Sequence, residues 1–336
     1  MLKPLLAALA LGAAALSAPA QTASSAASAP ASDAPAALTW EVATPFPETS
    51  FHTENLAQFA QEVERATEGK LKIGIKPDAA LKAGDVKRAV QNGKAPLGEL
   101  QLADVQSEWA TFGLDSVPML ASGYAQARKL YQAQRVPIGK KLAGQGLVML
   151  YSVPSPPPGL FLRKPVSKLT DLRGLTWAAY SPATERMAKL LGAKPVGMPA
   201  DHVAQAVTTG QVQAALASTD AFNADAFEPM EVFLDLQAWL PRHGVFMNLK
   251  AFEALDKTAR AAVIKAAIAA EQRGWKESEA RHRRFLGLLK DMGMEVVTPA
   301  EPLRTGLLKT VGEPMLDEWL QRTGPDGKLL IDDYRR

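Results

Sequence analysis

The stretch LTWEVATPFPETSFHTENLAQFAQEVERATEGKLKIGI, residues 38–75, decides the fold class. Leu38 to Ala43 reads as a strand that stops in a proline-rich turn, Thr44 to Ser50. Thr53 then opens a helix, in which Leu56, Phe59, Ala60, Val63 and Ala66 recur at helical spacing, and Gly69 stands where a left-handed stop belongs. Leu71, Ile73 and Ile75 alternate with Lys72 and Gly74, the period of a half-buried strand. A short helix over Asp85 to Asn92, closed by Gly93, and a strand over Pro96 to Leu102 extend the run to β-α-β-α-β.

The same alternation returns further along. Val148 to Val153 is strand-like and Pro154 to Pro158 stops it abruptly. Strands are predicted over Leu175 to Tyr180, Lys194 to Met198 and Val212 to Ala217, with helices over Pro182 to Leu191 and Asp201 to Thr209 between them. Alternating strands and helices imply mostly parallel sheets with covered faces, so two such sets predict two α/β lobes around a central cleft. From Asp256 to Met292 a helical pattern runs almost unbroken for 37 residues, or about 55 Å at 1.5 Å per residue. That exceeds one small lobe, so the helix should span both or bend at Gly274. A short strand at Glu295 to Val297 and a last helix over Pro302 to Arg322 complete the reading. The expected division is residues 39–153 with about 245–284 in lobe I, and 154–244 with about 285–336 in lobe II.

The N-terminus reads as an export signal. Lys3 precedes an apolar run from Leu5 to Leu16, and the small-residue site Ala18-Pro19-Ala20 follows, so cleavage is expected near Ala20. Residues 21–38 are almost entirely Ala, Ser, Pro and Thr, with no large side chain to offset the entropy of ordering; a disordered leader is expected. The apolar run is shorter than the roughly 20 residues a spanning helix needs. The destination inferred is the periplasm. With no cysteine there are no disulfides, and stability must come from the core. The 38 basic and 35 acidic residues give a net charge of +3 with both signs mixed, which argues against a nucleic-acid partner.

The chemistry-bearing strings are missing. His52, His202, His243 and His282 are far apart in sequence, so no metal and no cofactor is expected. No GxSxG, P-loop or GxGxxG occurs. A catalytic site could still assemble from scattered residues, and an enzyme using Asp220, His52 or Glu99 in the cleft is the alternative from another class. Facing lobes place strand ends and helix N-termini across a cleft, which suits small anions and a hinge-closing receptor.

Four stretches in order carry a resemblance to a known family. They are ATPFPETSFH with FAQEVERATEGKLKI, then VKRAVQNGKAPLGEL (86–100), then KPVSKLTDLRGLTW (164–177) with LLGAKPVGMPADHVAQAVTTGQVQA (190–214), and VFMN (245–248) before the long helix. Together they resemble the DctP-type solute-binding proteins of tripartite ATP-independent periplasmic (TRAP) transporters over nearly the whole mature chain. The resemblance implies two α/β lobes joined by crossing strands with a long helix along both. It also implies a monomeric receptor that captures a small organic acid by hinge closure and delivers it to membrane subunits.

The resemblance exposes a departure. Family members usually carry an Arg shortly after the DLKGL turn, and it clamps the ligand carboxylate; here that position falls on Ala178. A second polar position falls on Ala217, and Pro158 or its neighbours stand where many members have another Arg. Losing an Arg–carboxylate contact costs about 2 to 5 kcal/mol, so either another cation, Arg163 or Arg186, has moved in, or the ligand differs. A ligand lacking the usual carboxylate, or a sensing role, follows from the second branch. The remaining ligand-binding candidates are His52 in the first loop, Glu99 at a strand end, and Pro118 as apolar floor. Phe222 and Trp239 are candidate stacking aromatics, and Ser218, Thr219, Asp220 and Asn248 are candidate polar contacts at strand ends.

Overall fold

The computed structural model describes residues 37–218 and 223–336. The export signal, almost all of the leader, and the candidates Thr219, Asp220 and Phe222 lie outside the described residues.

Eleven strands among these residues form two sheets. The first has the order β2-β1-β3-β10-β4, from β1 (Leu38–Thr44), β2 (Leu71–Pro77), β3 (Leu97–Gln101), β4 (Leu147–Pro154) and β10 (Arg242–Asn248). The second has the order β11-β9-β5-β8-β6-β7. Its strands are β5 (Gly159–Leu162), β6 (Thr176–Ala179), β7 (Lys194–Gly197), β8 (Ala214–Ala217), β9 (Val232–Leu234) and β11 (Glu295–Val297). The helices in chain order are α1 (Phe51–Ala66), α2 (Ala83–Gln91), α3 (Tyr124–Ala143), α4 (Pro182–Leu190), α5 (Val203–Thr208), α6 (Ala224–Phe227), α7 (Leu249–Ala254), α8 (Lys257–Asp291), α9 (Glu301–Leu307) and α10 (Glu313–Arg335). No helix among the described residues is long and apolar enough to cross a membrane.

The β-α-β reading of the opening stretch corresponds to β1, α1 and β2, paired in parallel from Leu38↔Leu71 to Thr44↔Pro77. Leu56, Phe59 and Val63 of α1 are fully buried against Val42, Leu97 and Val245 of the sheet. This is the apolar stripe the helical spacing anticipated, and each such side chain contributes about 1.5–3 kcal/mol of burial. The predicted β4 and three strands that the alternation did not single out, β5, β9 and β10, do the joining. Chain leaving β4 at Pro154 enters the second sheet at Gly159, and chain leaving β9 at Leu234 returns to the first at Arg242. The two crossings run side by side: the Ser155 amide donates to the Pro241 carbonyl at 2.8 Å and the Ala238 amide to the Pro158 carbonyl at 3.2 Å.

Helix α8 runs unbroken past Gly274 and serves both lobes. Ala259, Val263, Ala266 and Ala270 pack in the core of the first sheet, whereas Phe285 and Leu289 pack in the core of the second. Gly274 is a point of close approach, not a bend, because a Cβ there would lie 2.4 Å from Val153 Cγ2. The expected last helix is α9, a π turn over Leu308–Gly312, and α10. Its anticipated end at Arg322 falls just before Gly324, whose φ of 58° breaks the helix before Pro325 starts it again. The end of the chain also turns back: Trp319 and Ile331 of α10 share a core with Leu114 and with Leu130 of α3.

Candidate functional site

A cavity of about 1370 Å³ opens between the sheets. Its floor is made where the crossings meet the start of α1. His52, the second residue of α1, is 3 % exposed, and its ring lies flat on that of His243 from β10, with centroids 3.6 Å apart and planes 3° from parallel. Phe51 packs against the first ring and Phe46 against the second. Ser155, in the first crossing, places its Oγ 2.9 Å from His52 Nε2 and 3.4 Å from His243 Nε2. Burial holds both imidazoles neutral. It pushes His243 down to about 3, and it lowers His52 far below its ordinary value, helped by His243 and Arg281.

Beneath the histidines sits Glu99 of β3, 1 % exposed. Thr44 Oγ1 donates to its Oε2 at 2.8 Å. Burial raises this carboxyl to about 7 against the opposing pull of the Thr44 bond. One donor atom from each of His52, Glu99 and His243 can be chosen so that all lie within 4.8 Å of one another. Two of the four histidines set aside as far apart in sequence, His52 and His243, are therefore neighbours, because β10 returns from the second sheet to lie beside β3.

Sequence reasoning missed His243 and Ser155. The signal for His243 was strand parity: it shares a face of β10 with Val245 and Met247, both buried toward α1. Ser155 carried none beyond its place in a proline-rich break.

The other candidates divide clearly. His52, Pro118, Ser218, Trp239 and Arg186 line the cavity. Glu99 does not, being covered by the floor. Asn248 lies at the far end of β10, where its amide donates to the Val90 carbonyl at 2.8 Å and its Oδ1 accepts from the Ala251 amide to cap α7. Ala178 is fully buried, in a core with Val203, Ala206 and Val207 of α5, so it is a packing position and not part of the cavity wall. Trp177 faces the other way into a separate core, as strand alternation requires. Arg163 is spent on the Val207 carbonyl at the end of α5, 2.7 Å away. Arg186 donates from Nε and Nη2 to Glu318 Oε1 at 2.8 and 2.6 Å. Arg322 also faces the cavity and has no ion-pair partner among the described residues.

Two α/β lobes joined by paired crossings, with a cleft between them and a helix bracing both, define a two-lobe binding protein. Residues 42–321 match the bacterial extracellular solute-binding protein family 7, DctP, and the chain belongs to that family. A curated relative from Albidiferax ferrireducens, described as a solute-binding protein, is 23 % identical over 222 residues; the match covers 63 % of this chain and 65 % of the relative. Among solved structures, DctP6 of Bordetella pertussis, an extracytoplasmic solute receptor binding pyroglutamic acid, is 41 % identical with a TM-score of 0.77, covering 88 % of this chain and 99 % of that one. DctP7 of the same organism, also binding pyroglutamic acid, is 36 % identical with a TM-score of 0.75, covering 89 % and 100 %. A marine metagenome TRAP solute-binding protein, specific for pyroglutamate and holding it co-purified, is 33 % identical with a TM-score of 0.73, covering 89 % and 99 %.

Proposed function

We propose that this chain is the periplasmic receptor of a TRAP transporter, acting as a monomer that captures a small cyclic carboxylic acid of the pyroglutamate type. Closure of the lobes on the crossings would sequester the ligand for delivery to membrane subunits. The observation that carries the reading is the cleft at the inter-lobe crossings, in a chain 33–41 % identical to three receptors that bind pyroglutamate. The chemistry of the cavity supports it. Trp239, Pro118 and Pro158 offer apolar surface to a small ring; Arg322 is a cation of the cavity lining available to a carboxylate, Arg186 lines the cavity while paired with Glu318, and Arg163 does not line it.

An enzymatic reading draws on the 2.9 Å contact between Ser155 Oγ and His52 Nε2. Against it, the hydrogen bond found for Glu99 comes from Thr44, and His243 Nδ1 has no hydrogen-bond partner among the described residues, where a triad would place a carboxylate.

Native mass spectrometry of protein purified from the periplasm tests the proposal. The expected result is a co-purified acid of pyroglutamate mass; a co-purified neutral compound, or conversion of the acid to product on incubation, would refute it.

A further inference from the structure

We propose that His52, Glu99 and His243 bind one divalent transition-metal ion beneath the floor of the cleft. All three are buried, at 3, 1 and 6 % exposure, and they come from three elements: the first turn of α1, β3, and the crossing strand β10. Their donor atoms lie within 4.8 Å of one another. Donors about 2.1 Å from a common ion stand roughly 3.4 Å apart in a tetrahedron, and because the two rings lie face to face, binding turns them out of their stack until both lone pairs point at the ion.

The surroundings favour an ion. Glu99 has no ion-pair partner among the described residues, and its hydrogen-bond donor is a single hydroxyl. His243 Nδ1 is buried without a hydrogen-bond partner among the described residues. A carboxyl group with one hydroxyl as its hydrogen-bond donor and an imidazole with an idle nitrogen are costly to bury. One dication answers both. The neutral imidazole, the form that burial imposes on both rings, is also the ligating form.

Two nitrogens and one carboxylate select the class. The set suits Zn²⁺, Ni²⁺ or Co²⁺, whereas Ca²⁺ and Mg²⁺ take shells of oxygen. Three protein ligands leave one position open in a tetrahedral shell. Water, or an oxygen of a captured acid, would fill it. That last role rests on the receptor reading, but capture of the ion does not.

The test is titration of the chelator-treated mature protein with ZnCl₂ by calorimetry, with no organic ligand present. The proposal expects one ion per chain with a dissociation constant in the micromolar range or tighter. Affinity should fall at least tenfold in His52→Gln, Glu99→Gln and His243→Gln, and stay unchanged in His202→Gln, whose ring is exposed. Imidazole ¹⁵N resonances of the unmutated protein give a readout that does not depend on the variants folding. One equivalent of Zn²⁺ should shift His52 and His243 and leave His202 and His282 in place. No saturable binding, or binding that leaves the His52 and His243 resonances unmoved, would overturn the proposal. Either outcome leaves pyroglutamate capture to be judged separately.

Discussion

Free of metal, Glu99 is folded as the neutral acid up to about pH 7, while its ordinary value is 4.5. Between those values the folded state holds a proton that the unfolded chain releases. The contribution of Glu99 is therefore intact below pH 4.5 and is lost as pH rises through 7, a loss of about 3 kcal/mol. Urea unfolding of the wild type and Glu99→Gln in excess chelator, from pH 4.5 to 8, should show the wild-type advantage shrinking by about that amount. His52 and His243 titrate with the opposite sign, but both proteins contain them, so they cancel in the difference. A flat difference would mean that Glu99 is ionised throughout. Ala178 supports a second prediction at this scale. With no exposure and the apolar residues of α5 against it, Ala178→Arg should destabilise the fold by about 3 kcal/mol or more and add no carboxylate affinity. Full stability together with tighter acid binding would restore Ala178 to the ligand site.

At the scale of elements, α8 owes its close approach to Val153 of β4 to one glycine. Gly274→Ala removes a helix-interior glycine, worth about 1 kcal/mol in favour of the variant. It also drives a methyl to 2.4 Å from Val153 Cγ2, an overpacking of about 1–3 kcal/mol. Thermal unfolding should find the single variant no more stable than wild type and the double variant Gly274→Ala/Val153→Ala less destabilised than the sum of its parts. Additive effects would show that Val153 moves aside freely. The elements themselves were legible in proportion to their periodicity. Helices α1 and α8 and strands β1 and β2 carry long runs at their own period, and the structure places them within two residues of where the spacing does. Helix α3 was not found, because its 20 residues hold Pro137 and mix charged with apolar positions on every side. Strands β5 and β9 have four and three residues, all buried, too short for any period to show.

For the whole molecule, two sheets exchange strands through the crossings at residues 155–158 and 235–241, and the cleft floor is assembled there. The floor was illegible for that reason. His52 and Ser155 are 103 residues apart and Ser155 and His243 are 88 apart, and only the return of β10 beside β3 brings them together. The crossings are also anchored. Arg242 donates from its backbone amide and Nε to Asp115 Oδ2 at 3.0 and 3.1 Å, and from Nη2 to Gln134 on α3 at 2.6 Å. Removing one member of a buried ion pair costs about 3–5 kcal/mol, so Asp115→Ala should lower stability by that order, read from the urea midpoint. An unchanged midpoint would mean the crossing is held by its backbone pairing alone.

Isothermal titration of ligand-stripped mature protein with L-pyroglutamate, followed by chromatography of the mixture, tests the receptor account most directly. The account predicts one saturable site, stabilisation of about 2.7 kcal/mol at a hundredfold excess over the dissociation constant, and recovery of the acid unchanged. Absence of binding by pyroglutamate and related cyclic acids, or recovery of a reaction product, would contradict it.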